Sequence, residues 1–227
     1  MNKILPKSFE KRKIGKKGFG LVELFAVVAI ISALTATVNL MISAGQSAWF
    51  NSDAQFELQS NLRRAFEKLS RELQESGKDK NGMLQVTLYD GTGVNGTDIV
   101  RFSMPALCQN NMSVIDVNGD VAYWGAPLTW GCTTSSCMDA DNDCATVDYK
   151  YIEYYVDSSN RLIRRVLDNV GNEVRQDTVA LNITNLQASF SADHNVVTVV
   201  LTGQTQSVLK RTLSASTSVG VYLRNRG

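Results

Sequence analysis

The sequence predicts an α+β protein. A long N-terminal helix, transmembrane in its first half and amphipathic in its second, packs on a C-terminal antiparallel β-sheet. Three observations predict it. No charged residue occurs from Leu24 through Ser52, and Glu23 is the single acid at the front of that apolar run. From Ala54 to Leu73, apolar residues recur at intervals of three and four. Beyond Gly82, short segments alternate apolar and polar residues between turn-forming clusters.

Residues 1–18 read as a basic leader. They hold seven Lys/Arg and one Glu, a net of +6, so the +1 of the whole chain leaves −5 for the rest. Cytoplasmic flanks of membrane spans are enriched in Lys and Arg, so the leader is expected to stay cytoplasmic and the acidic body to be exported. Pro6 and Gly15 argue against a helix in the leader. Residues 19–52 are expected to cross the membrane, since a run of about 20 apolar residues spans a bilayer as a helix. A secretory signal usually has a shorter core, about 7–15 residues, and seldom an acid at its leading edge.

Residues 53–77 read as the amphipathic continuation. Ala54, Leu58, Leu62, Ala65, Phe66, Leu69 and Leu73 form an apolar stripe. Arg63, Arg64, Glu67, Lys68, Arg71, Glu72 and Glu75 are assigned to the open faces, with Glu67–Arg71, Lys68–Glu72 and Arg71–Glu75 as i,i+4 pairs. No proline interrupts the chain before Pro105, and Gly77 is the expected C-cap. At 1.5 Å per residue such a helix would be roughly 85 Å long. Its stripe needs cover, which the rest of the chain can supply.

Residues 78–227 read as a β-rich domain carrying a Cys-containing loop at 105–148. Strands are expected at Leu84–Leu88, Asp98–Met104, Tyr149–Val156, Arg161–Leu167, Val179–Phe190 and Val196–Thr202. Asp157–Asn160 and Asp168–Asn172 are turns. In the last strand Leu213, Ala215, Val219, Val221 and Leu223 share one face, opposite Thr212, Ser214, Ser216 and Ser218. Such alternation marks a half-buried antiparallel sheet.

The segment Gly18-Phe19-Gly20-Leu21-Val22-Glu23 resembles the N-terminus of type IV prepilins and type II secretion pseudopilins. The family pattern is a basic leader ending in Gly, then Phe, then Glu at the fifth mature position. Gly18, Phe19 and Glu23 match it; Gly20 departs, where the family more often has Thr or Ser. "RRAFEKLSRELQESG", "YYVDSSNRLIRRV" and "VYLRN" also resemble the J-type pseudopilins and PilW-like minor pilins. The resemblance covers both ends and the middle of the chain, not the Cys-bearing loop. It implies a pilin-like fold and no catalysis by the chain itself. It further implies prepilin peptidase cleavage between Gly18 and Phe19, N-methylation of Phe19, and Glu23 facing a neighbour's amino terminus during filament assembly. The implied partners are other pilins or pseudopilins through the N-terminal helix, the peptidase, an inner-membrane assembly platform and membrane lipid. The implied location is a single pass of the inner membrane, body periplasmic, then a pilus or pseudopilus, with a role at its tip or in its initiation.

The remaining motifs carry less. In an exported body Cys108, Cys132, Cys137 and Cys144 read as disulfides, with Cys137–Cys144 and Cys108–Cys132 the favoured pairs. No C-x-x-C pair stands near the lone His194, so zinc is the poorer reading. Asp139, Asp141 and Asp143 have the alternate spacing of a Ca²⁺ loop, and Asp116-Val117-Asn118-Gly119-Asp120 is a weaker echo. Cys144 and Lys150 stand where an EF-hand has Gly and Glu, which favours a solvated acidic loop and no cofactor. His194 reads as a turn residue, and Tyr149, Tyr151, Tyr154 and Tyr155 as sheet packing. No G-x-S-x-G, H-E-x-x-H or P-loop occurs, and the body has no basic stripe for nucleic acid. Two alternatives remain: a binding module or adhesin on an uncleaved anchor, and a secreted enzyme cut near Ser43-Ala44.

Overall fold

The computed structural model describes residues 20–108, 112–139 and 148–224. It opens with one helix, α1 (Leu21–Gln74). The chain divides into two compact units, the first ending at Ala48 and the second starting at Trp49. In the first unit the described residues from Leu21 on are helix, and all the described ones are exposed except half-buried Ser47.

The second unit contains the rest of α1 and twelve strands. The first six are β1 (Val86–Tyr89), β2 (Ile99–Phe102), β3 (Met104–Pro105), β4 (Leu107–Cys108), β5 (Met112–Ser113) and β6 (Trp124–Gly125). The longer ones follow: β7 (Tyr149–Val156), β8 (Arg161–Asp168), β9 (Glu173–Leu181), β10 (Ile183–Phe190), β11 (Val196–Gln206) and β12 (Thr212–Tyr222). A five-stranded antiparallel sheet has the order β1-β2-β7-β8-β9, and a second sheet has the order β10-β11-β12. Two short ladders, β3-β6 and β4-β5, occupy the region expected to be an irregular loop.

The α+β layout holds, with two sheets in place of one. The expected strand 179–190 is broken at Asn182, which takes φ 63°. Asn tolerates this left-handed conformation, so the chain turns there out of one sheet and into the other. Asp98 ties the sheets together: its N–H donates to the Leu186 carbonyl at 2.8 Å, and its carboxylate accepts the N–H of Ala188 at 2.7 Å and of Gly91 at 2.9 Å.

Both sheets close on the helix stripe. Leu58, Leu62, Ala65, Leu69 and Leu73 are at most 1% exposed, among core residues from both sheets. Each fully buried Leu contributes about 1.5–3 kcal/mol. Gly203 on β11 lets the helix come close. A Cβ there would lie 2.8 Å from Leu58 Cδ1 and 2.8 Å from the Asn182 carbonyl oxygen.

The turns share one chemistry. Asp79, Asp116, Asp157 and Asp168 each accept, on Oδ1, the N–H groups two and four residues on. The third residue on has positive φ: Gly82, Gly119, Asn160 and Gly171. The helix ends differently from expectation. Glu75 and Ser76 donate their N–H groups three residues back, to Glu72 and Leu73, and Gly77 is not left-handed. The last strand also differs. Only Val221 and Leu223 of the expected apolar face are buried, and Val219 is 36% exposed, because β12 is an edge strand.

Candidate functional site

In the described part of the apolar run, the large side chains from Leu21 to Ile42 stand open, with Leu21 at 71% and Met41 at 76% exposure. Four of its hydroxyls are satisfied within the helix. Ser32, Thr35, Thr37 and Ser47 donate to the carbonyls of Val28, Ile31, Leu34 and Ser43 at 2.7–2.8 Å. A segment in lipid must satisfy its polar groups internally in this way. This helix is long and apolar enough to cross a membrane, compatible with a single-pass anchor. Glu23 is its one charged group before Asp53. The Glu23 Oε2 accepts the Gly20 N–H at 3.2 Å, a contact across the helix's own first turn. Gly18 and Phe19, the expected cleavage and methylation positions, lie outside the described residues.

In the second unit the structure reveals a buried polar cluster that the sequence reading missed. Glu72, assigned to an open face, is 4% exposed. Its Oε1 accepts Arg164 Nη2 at 2.8 Å, and its Oε2 accepts Arg164 Nε at 2.9 Å and the Tyr154 hydroxyl at 2.7 Å. Arg164 also donates to the carbonyls of Pro127 at 2.6 Å and Leu128 at 3.3 Å. Burial, and then the Glu72 charge, push the Tyr154 phenol well above its ordinary range. Two signals were available. Position 72 follows Leu69 by three, so it sits on the stripe. Arg164 shares strand parity with Leu162 and Val166, so it faces inward.

Arg164 thereby clamps the 126–130 segment against the helix. Trp130 completes the clamp: its Nε1 donates to the Lys68 carbonyl at 3.2 Å, and Lys68 Nζ lies 5.3 Å from the ring centroid. The expected i,i+4 partner of Lys68 is therefore engaged elsewhere, with Arg164. A cavity of about 250 Å³ opens beside this clamp, lined by Arg71, Glu75, Met104, Leu107, Trp130 and Met138 among others.

The cysteines pair differently from expectation. Cys132 is bonded to Cys137, with Cα atoms 6.4 Å apart. The short 3-10 turn at Ser135–Cys137 brings the two together, so local closure wins over the longer loops. Cys108 is in a disulfide as well, not with Cys132. Cys144 lies outside the described residues.

Of the expected Ca²⁺ ligands, Asp139 is buried, while Asp141 and Asp143 lie outside the described residues. Among the described residues no three His, Cys, Asp or Glu side chains stand together as a metal site. The weaker echo is a turn: the Asn118 and Asp120 N–H groups hold the Asp116 carboxyl below its ordinary range. His194 is a turn residue at φ 55°, edge-on to Phe190. No family model matches the chain, and neither a curated protein nor a solved structure matches it.

Proposed function

We propose that the protein is a membrane-anchored filament subunit, a minor pilin or pseudopilin of a type IV pilus or type II secretion pseudopilus. One observation carries the reading most: a single carboxylate, Glu23, in the first turn of a helix whose large apolar side chains from Leu21 to Ile42 are exposed. In a low-dielectric setting a lone carboxylate favours a cationic neighbour. Cleavage between Gly18 and Phe19 creates one, the Phe19 α-amine of an adjoining subunit. The uncovered apolar side chains then pack on lipid before assembly and on sister helices after it. The body, in the periplasm, supplies surface for other minor subunits at the tip or in initiation. Residue-level support beyond the N-terminus is the resemblance already described.

Mass spectrometry of the membrane-extracted protein tests the first step. The expected mature chain begins at methylated Phe19; a chain still beginning at Met1, or trimmed inside the apolar segment, would overturn it. Glu23→Ala is expected to leave insertion and processing intact and to lower incorporation into filaments. A second reading, a binding module on an uncleaved anchor, draws on the cavity beside Trp130. It requires an intact N-terminus and indifference to Glu23→Ala.

A further inference from the structure

The sheet edges of the second unit are not guarded alike. An exposed strand edge offers unpaired N–H and C=O groups to any other strand, and proteins blunt it with charge, bulges, shortness or cover. The β9 edge carries Glu173, Arg175 and Asp177 and two register breaks against β8. The β1 edge is four residues long. The β10 edge is occupied by Asp98. The β12 edge has none of these. It runs eleven residues, Thr212–Tyr222, without a charge or a proline. It pairs with β11 through all eleven positions without a register break, and no strand among the described residues lies on its other side.

The strand's own sequence indicates what fits there. In an antiparallel pairing of β12 with itself, centred on Thr217, Ala215 meets Val219 and Leu213 meets Val221 of the second copy. Ser216 meets Ser218, and Ser214 meets Gly220. Apart from Thr217, which meets its own copy at the centre, apolar side chains face apolar ones on the inner side, and Ser216 and Ser218 face each other on the outer side. Within Thr212–Tyr222 the self-pairing brings no like charges together, and directly opposite like charges are what destabilise a pairing. It also extends the sheet beyond Val219 and Leu213, which the single chain leaves partly open. A twofold contact of this kind is isologous and closes on itself.

We propose that β12 is an interaction edge that takes the β12 strand of a second copy, joining the two three-stranded sheets into one six-stranded sheet. The proposal does not depend on the filament reading. It is tested with the full chain in native membranes, carrying Thr217→Cys and treated with a short thiol crosslinker. A dimer linked through position 217 is expected, and none with Asp177→Cys on the β9 edge.

Charge placement on the outer face then separates pairing from folding. Ser216→Lys with Ser218→Lys puts like charges opposite each other twice and is expected to abolish most of the dimer. Ser216→Lys with Ser218→Glu puts opposite charges at those same places and is expected to keep it. Both variants add two charges at the same exposed positions, so a folding defect would affect them alike. Absence of the 217–217 product would overturn the proposal, as would its replacement by a product with another protein. Equal loss or equal survival in the two charge variants would overturn it too.

Discussion

The buried pair between Glu72 and Arg164 is costly to break. Both side chains are nearly sealed, at 5% and 1% exposure. Glu72→Gln keeps the shape and removes the negative charge, leaving the guanidinium buried without a counter-ion. Breaking such a pair from one side costs about 3–5 kcal/mol. For a folded unit of this size that lowers Tm by about 6–20 °C. Arg164→Met does the reverse damage and also strips the Pro127 and Leu128 carbonyls of a donor, at about 1–3 kcal/mol for each one left buried. The double variant has no uncompensated charge, so only the carbonyl cost remains. It is expected to be no less stable than Arg164→Met alone, with a coupling of about 2 kcal/mol or more. Thermal unfolding of the detergent-solubilised full chain, followed by near-ultraviolet circular dichroism, gives all four corners of this cycle. A Glu72→Gln cost below about 1 kcal/mol, or strict additivity in the double variant, would refute the reasoning.

Two further outcomes follow from the same packing and turns. Gly203→Ala places a Cβ against both Leu58 and the Asn182 carbonyl, so a denaturant-midpoint loss of about 1–3 kcal/mol is expected from overpacking. The pH profile is expected to fall at both ends. At the acid end, Asn172 and the neighbouring N–H groups hold Asp168 low, and Ser191 and Asn195 hold Asp193 at about 2. Folded-state values below the unfolded one add stability that is present above the unfolded value and lost as pH falls through the folded one. At the alkaline end the Tyr154 shift is upward, so its contribution is complete below the unfolded phenol value and is lost as pH rises past it. Tyr154→Phe is expected to remove that alkaline component, as read by unfolding midpoints across pH.

What could be read ahead of the structure was whatever repeats locally. The stripe from Leu58 to Leu73, strand β7 to the residue and the β7–β8 hairpin follow from spacing alone, because period and turn chemistry are properties of neighbours in sequence. Errors gathered where a distant group decides. Glu72 looks like a surface acid until Arg164, on a strand far along the chain, arrives to meet it. The break at Asn182 is a single left-handed residue inside an otherwise continuous β pattern. Pairing of Cys132 depends on a 3-10 turn that composition does not announce. Alternation in β12 was read correctly, but burial needs a neighbour, and an edge strand has one on one side only.

Of the five acids of α1, Glu23 and Glu72 differ in a way that favours Glu23 for the proposed assembly role. Both oxygens of Glu72 are taken by Arg164 and Tyr154, which leaves no place for a second protein. Glu23 has the Gly20 N–H, at a rather long 3.2 Å, and exposed apolar neighbours. Insertion of an acid at the centre of a membrane helix costs about 2.5–3.5 kcal/mol, an upper bound for Glu23 in the first turn, and a hydrogen bond to a charged group returns about 1.5 kcal/mol at its weak end. The shortfall, at most about 1–2 kcal/mol, is what a cation from a neighbouring chain would offset. Glu23→Gln distinguishes this from simple helix capping. Its amide oxygen can still accept the Gly20 N–H, but it carries no charge. If capping were the role, filament incorporation with Gln would match the native chain; if charge pairing is the role, Gln fails as Ala does. Quantifying incorporated against membrane-resident protein for the three chains decides it, and full incorporation of Glu23→Gln would end the charge-pairing account.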